Sequence, residues 1–157
     1  MDFRRRRILA TVAVVVLIAM VAGAFFLFFS GGVSKEEFIE KADAICSQKL
    51  EESSAIEQPT DLESTGNLFA GVTPILVAQT REIRALEAPD EDAAVLEDWL
   101  NTQDELVVVF RTAAEAAGSG DQEGFDAAFT DANAIQAQSS RLASQYGFDV
   151  CGIATPS

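Results

Sequence analysis

The chain has 157 residues, a net charge of −14 at neutral pH, two cysteines and no histidine. From Ser30 onward seven basic residues stand against 24 acidic ones, a net charge of −17. So acidic a surface repels phosphate backbones and argues against nucleic acid as a partner, and the lack of imidazole removes the commonest general base and metal ligand.

The first predicted element is a membrane span. Residues 1–7 form a basic head containing Arg4, Arg5, Arg6 and Arg7, and the 22 residues from Ile8 to Phe29 carry no charge. At about 1.5 Å per residue such a run crosses a hydrocarbon core of roughly 30 Å. Arginines beside a first span stay in the cytoplasm, which puts the amino terminus inside and the rest of the chain outside. They also attract anionic headgroups, by about 1 kcal/mol each. Ala22-Gly23-Ala24 has the form of a cleavage site, but cleaved signal peptides have apolar regions of about 7 to 15 residues, and cutting there would leave Phe25 to Phe29 at the new terminus. The expectation is an uncleaved anchor over 8–29 in the cytoplasmic membrane, with secretion after cleavage as the alternative. Either way the residues beyond Phe29 are exported.

Export governs the reading of Cys46 and Cys151. In an oxidising compartment two distant thiols are most simply a disulfide. A metal pair or a catalytic thiol are the alternatives, and metal sites usually need more ligands than a chain without histidine offers. A bridge would close a loop of about a hundred residues, for which chain entropy gives about 4.7 kcal/mol.

After a linker at 30–33, Ser34 and Glu37 have the spacing of a capping box. Phe38, Ala42, Ile45, Cys46, Lys49 and Leu50 recur at helical spacing, with Glu36, Glu40, Lys41 and Asp43 on other faces, so a helix is predicted from about Lys35 to Ser54. Gln58 to Asp61 reads as a turn. Leu68, Val72, Ile75, Leu76, Ile83 and Leu86 then keep one phase through Pro74, which predicts a single kinked helix, or two with the second starting at Thr73-Pro74. Beyond Ala88-Pro89-Asp90, the acids Asp90, Glu91 and Asp92 suit a helix start. A stripe then runs through Leu96, Trp99, Leu100, Gln103, Leu106, Val107, Phe110, Ala114 and Ala117. The run from Leu106 to Phe110 is apolar all round: either it is the most buried point or it exposes a valine to a partner. Gly118-Ser119-Gly120 ends that helix, Asp121 caps the next, and Phe125, Ala128, Phe129, Ala132, Ile135, Leu142 and Tyr146 line its inner side up to a stop at Gly147.

Short connections make neighbouring helices antiparallel. The predicted fold is therefore all-α: an antiparallel four-helix bundle over 34–152, closed by one disulfide, preceded by one transmembrane helix and followed by a tail at 153–157. The bridge sets a condition. Cys46 lies about 17 Å along the first helix, and the four residues after Gly147 reach about 13 Å, so the tail must climb back along that helix with the helix ends overlapping.

Candidates for chemistry are few. No nucleophile with a base can be assembled, Ser139 and Ser140 read as helix-surface residues, and Gly118 to Gly124 lacks the Gly-Lys-Ser/Thr ending of a phosphate loop. Asp121-Gln-Glu-Gly124 lacks the alternating ligands of a calcium loop, and a di-metal carboxylate bundle needs histidines. Catalytic, cofactor and metal residues are therefore none. Paired carboxylates for glycoside cleavage remain a formal option of almost no specificity, and Trp99 and Tyr146 read as core.

Phe38-x3-Ala42-Asp-Ala-Ile-Cys46, Leu86-Glu-Ala-Pro89 and Tyr146-Gly-Phe-x-x-Cys151-Gly152 together resemble a group of small exported actinobacterial proteins, many anchored by one amino-terminal helix or a lipid. The resemblance covers most of Phe38 to Gly152. It implies an extracytoplasmic helical domain with a disulfide between the two motifs, and transfers no activity. Unlike the lipid-anchored members, this chain has no cysteine near its start. The expected function is a non-catalytic, membrane-tethered binding module with an envelope protein or component as partner. The alternative is a carrier of a small apolar ligand beside Pro74 and opposite Leu106 to Phe110, and a carboxylate hydrolase comes third.

Overall fold

The computed structural model describes residues 33–152, so the expected span at 8–29, its arginines and the tail at 153–157 lie outside the described residues. No described helix is long and apolar enough to cross a membrane. The four helices are α1 (Lys35–Ser54), α2 (Leu62–Arg84), α3 (Ala93–Ser119) and α4 (Gln122–Tyr146), and the only other ordered backbone among the described residues is turns and bends.

Local chemistry sets the ends. At the start of α2 the Asp61 carboxylate accepts from the Ser64 amide at 2.8 Å while Ser64 Oγ accepts from the Asp61 amide at 3.0 Å, a reciprocal box. The Ser64 hydroxyl, which also donates to that carboxylate at 2.6 Å, and then the Ser64 amide hold the Asp61 carboxyl below the usual carboxylate range. α3 ends in a Schellman motif: Gly120 is left-handed (φ 74°) and donates to the Ala117 carbonyl, and Asp121 donates to that of Ala116 at 2.8 Å. Asp121 then caps α4 by accepting from the Gly124 amide at 3.0 Å. Gly147, at φ 106°, stops α4 as predicted.

α2 runs through Pro74 as one helix. Of the predicted apolar stripe only Ile83 is fully buried; the other buried residues are Gly66, Thr73 and Thr80, whereas Leu68, Val72, Ile75, Leu76 and Leu86 are half-buried. At Gly66 the helix approaches α3 closely: a Cβ there would lie 2.8 Å from that of Ala117 and 3.2 Å from the Ala114 carbonyl oxygen, so the position admits no side chain without a shift. Thr73 and Thr80 donate their hydroxyls to the Phe69 and Leu76 carbonyls of their own helix, so their burial leaves no stranded donor.

Consecutive helices are antiparallel. Gly66 near the start of α2 meets Ala117 near the end of α3, Arg84 pairs with Asp104, and Gln103 of α3 bonds Ser139 late in α4. α3 pairs most closely with α4 and then with α2, while α1 is held more loosely against α2, through Lys49 on Glu82 and, just past its end, Ile56 over Gly71. Phe69, Phe110, Phe125 and Phe129 cluster at one end, with Phe129 exposed instead of inward as expected. Phe38, Trp99, Tyr146 and Phe148 fill the other, with Trp99 and Tyr146 fully buried. The Leu106 to Phe110 segment answers in two ways at once: Leu106 and Val107 are buried, and Val108 is 61% exposed.

Tyr146 carries a prediction. Its buried hydroxyl has no hydrogen-bond partner among the described residues, and burial, aided by the charges of Asp92 and Glu91, pushes the phenol above its ordinary value. The folded chain thus keeps that proton after the unfolded chain has lost it, so stability falls as pH rises beyond the unfolded phenol value of about 10. Tyr146→Phe removes an unpaired polar group and is expected to leave stability at pH 7 unchanged or raise it by about 1 kcal/mol. It is also expected to flatten the alkaline loss; urea melts at pH 7 and pH 10.5 read both, and a loss above 1 kcal/mol at pH 7 refutes the assignment.

Candidate functional site

The two predicted site cysteines come together. Cys46 and Cys151 form a disulfide with Cα atoms 5.2 Å apart, spanning 105 positions. The predicted condition is met. The ring of Tyr146, the last residue of α4, meets that of Phe38 in the first turn of α1, so the helix ends overlap. Phe38 to Cys46 is then about 12 Å along α1, within reach of the climbing tail.

A residue that sequence reasoning placed on an outer face completes this clasp. The Asp43 carboxylate is half-buried and accepts three tail amides at 2.9 Å, Asp149 on Oδ2 and Val150 and Cys151 on Oδ1. Three successive N–H groups converging on one carboxylate make an anion nest closed by the chain itself. The tail also inserts Phe148 between Tyr146 (4.7 Å between ring centres) and Trp99 (4.9 Å). The first and last of the three motif segments therefore meet in space, and Pro89 of the middle one is buried. The signal available in the sequence was the i, i+3 spacing of Asp43 and Cys46, which puts both on one side of α1.

Inside the bundle, between α1 and the other three helices, lies a cavity of about 100 Å³. Its wall is apolar on the Val72, Ile75, Leu76 and Phe110 side, and the disulfide and Val150 form part of its rim. Gln103 and Ser139, both buried, bond each other there, so Ser139 is not the surface residue expected. Gln103 stands on the α3 stripe as its phase predicts, whereas Ser139, in phase between Ile135 and Leu142, reads as surface from its polar side chain. At the mouth Lys49 Nζ lies 3.1 Å from Glu52 and 3.2 Å from Glu82. The bond to Glu52 raises the ammonium above its ordinary value despite its burial. Glu52 is held low by the same bond and by Gln48.

A second concavity lies on the outer surface, between α2 and α3. Ala70, Pro74 and Val77 line it from α2, and Arg111, Ala114 and Glu115 from α3. Val77 is 38% exposed. The ligand pocket expected beside Pro74 and opposite Leu106 to Phe110 thus resolves into two separate places: Pro74 faces outward on the groove, while Leu106 and Phe110 face the inner cavity.

The acidic clusters have local roles. Asp92 has a left-handed backbone (φ 56°), makes no side-chain cap and pairs instead with Lys35, which also lies over the Tyr146 ring. Asp121 is the α4 cap. Among the described residues no group of three or more His, Cys, Asp or Glu side chains could hold a metal ion. Comparison with known proteins finds no matching family model, curated protein or solved structure.

Proposed function

We propose that the chain is a non-catalytic interaction module, tethered through residues 8–29 and presenting its helical domain on the outer side of the cytoplasmic membrane, where it binds an envelope protein. The observation that carries the binding part is the outer α2–α3 groove, which Val77 lines as an exposed side chain, with the exposed Val108 one turn before Arg111 of the groove on α3. The Cys46–Cys151 bond supports the compartment, since such bonds persist in oxidising spaces. The carrier reading ranks second because the inner cavity, at about 100 Å³, falls short of the roughly 300 Å³ at which ligand pockets begin, and the concavity at Pro74, about 460 Å³, is an open surface groove that would leave a small ligand exposed.

The test is cross-linking of the full chain in its own membrane, wild type beside Val108→Asp and beside Asp131→Asn on the far helix. The expected result is one envelope protein cross-linked by the wild type and by Asp131→Asn, and reduced at least tenfold by Val108→Asp. Equal cross-linking by all three sinks the reading.

A further inference from the structure

The occupant of that groove can be specified from its chemistry, an inference that rests on the interaction reading above. On α2 the positions Ala70, Pro74, Val77, Arg81 and Arg84 succeed each other at three- and four-residue spacing, and so form one stripe. On α3 Asp104, Val108, Arg111 and Glu115 do the same. The Arg84–Asp104 bridge, 2.7 Å, joins the two stripes, so they lie side by side with four small or branched apolar side chains between charged ones.

The distribution of charge is the second observation. Three of the seven basic residues beyond Arg7 lie on this one face, against two acids, in a region whose net charge is −17. Arg84 is engaged by Asp104, but Arg81 and Arg111 are exposed and form no ion pair among the described residues. Arg111 does not close on Glu115 either, although the two stand four residues apart on α3. Unengaged arginines beside an exposed apolar strip match a protein interface in their arginine, since interfaces are rich in arginine and poor in lysine. A second copy of this chain suits the groove poorly, because both would bring their net negative charge to the contact.

We infer that the α2–α3 groove receives an amphipathic helix of a partner protein, with apolar residues at i, i+3 or i+4 and i+7 seated over Pro74, Val77 and Val108, and carboxylates on its flanks reaching Arg81 and Arg111. The stripe from Ala70 to Arg84 is about 21 Å long, which fits four turns. Two parallel-sided helices offer a third the groove it needs.

A phage-displayed library of helix-forming 16-residue peptides, randomised at surface positions and selected on the full chain in detergent, tests this. Selected peptides are expected to share the apolar spacing with flanking Asp or Glu, to bind at least tenfold more weakly to Arg111→Glu and to Val108→Asp, and to regain binding to Arg111→Glu when the facing acid is changed to Lys. Selected peptides without acids, or indifferent to both variants, overturn the inference; if they compete with the cross-linked envelope protein all the same, the interaction reading stands without it. Retention on phosphatidylserine vesicles that Arg111→Glu abolishes would assign the face to lipid, and a dimer by sedimentation that Val108→Asp abolishes would assign it to a second copy. Either result also overturns the partner helix.

Discussion

Cutting the Cys46–Cys151 bridge is expected to lower domain stability by about 3 to 5 kcal/mol, and the unfolding temperature by about 10 to 20 °C. The bridge spans 105 positions, so in the unfolded chain it closes a loop of nearly the whole helical domain. Its loss returns most of that conformational freedom to the unfolded state, where the chain-entropy relation assigns about 4.7 kcal/mol. The folded state loses something as well. α1 is the most loosely held helix, and the bridge ties it to the tail that caps α4. Calorimetry of the oxidised chain, the chain in a phosphine reductant and the Cys46→Ser/Cys151→Ser variant checks this. The last two should agree with each other and fall well below the first. A difference under 3 °C would show that helix contacts alone hold α1.

Asp43→Ala is expected to cost about 2 to 4 kcal/mol. The carboxylate satisfies three amides at 2.9 Å in a segment that has no regular secondary structure to satisfy them otherwise. Bonds to a charged acceptor contribute about 1.5 to 3 kcal/mol each when sheltered, and partial exposure discounts the sum. Asp43→Asn separates acceptor geometry from bulk. With its carbonyl oxygen where Oδ1 was, it keeps the bonds from Val150 and Cys151 but turns an amide toward that of Asp149, so about half the loss is expected. Urea unfolding gives the order wild type, Asn, Ala, and hydrogen exchange should show residues 149 to 151 losing protection first. Should Asp43→Ala unfold with the wild-type midpoint, the nest is incidental. Asp43 and the bridge hold the same tail, so their losses should not add. A double-mutant cycle should give a coupling of about 0.5 to 3 kcal/mol.

Much of the fold was legible because helical periodicity and terminal chemistry are local. The bounds of α1 emerge from its phase, those of α3 and α4 from Gly120, Asp121 and Gly147, and the continuity of α2 through Pro74 from an apolar phase that the proline does not shift. Burial was less legible. Phe129 has a core phase and is exposed, while Ser139 has a polar side chain and is buried, because the neighbours that pack on α4 decide which positions are covered. Periodicity names a face, not its depth. α2 is the clearest instance: apolar spacing marks Val72, Ile75 and Leu76, yet beside Ile83 the buried positions are Gly66, Thr73 and Thr80.

The uncharged run over 8–29, two lone cysteines and the helical phase of the apolar residues were enough to predict an exported, all-α, disulfide-closed domain, because length, spacing and redox chemistry act along the chain whatever the tertiary arrangement. The helices and the bridge stand as read. Only the tertiary structure decided what the polar and exposed residues do. Asp43 became the acceptor for a tail more than a hundred residues away, Gln103 found Ser139 across two helices, and Arg81, Val77, Val108 and Arg111 came to share one outer face. Each of these depends on which helix lies beside which, and at what distance. A pattern of period 3.6 carries no such information.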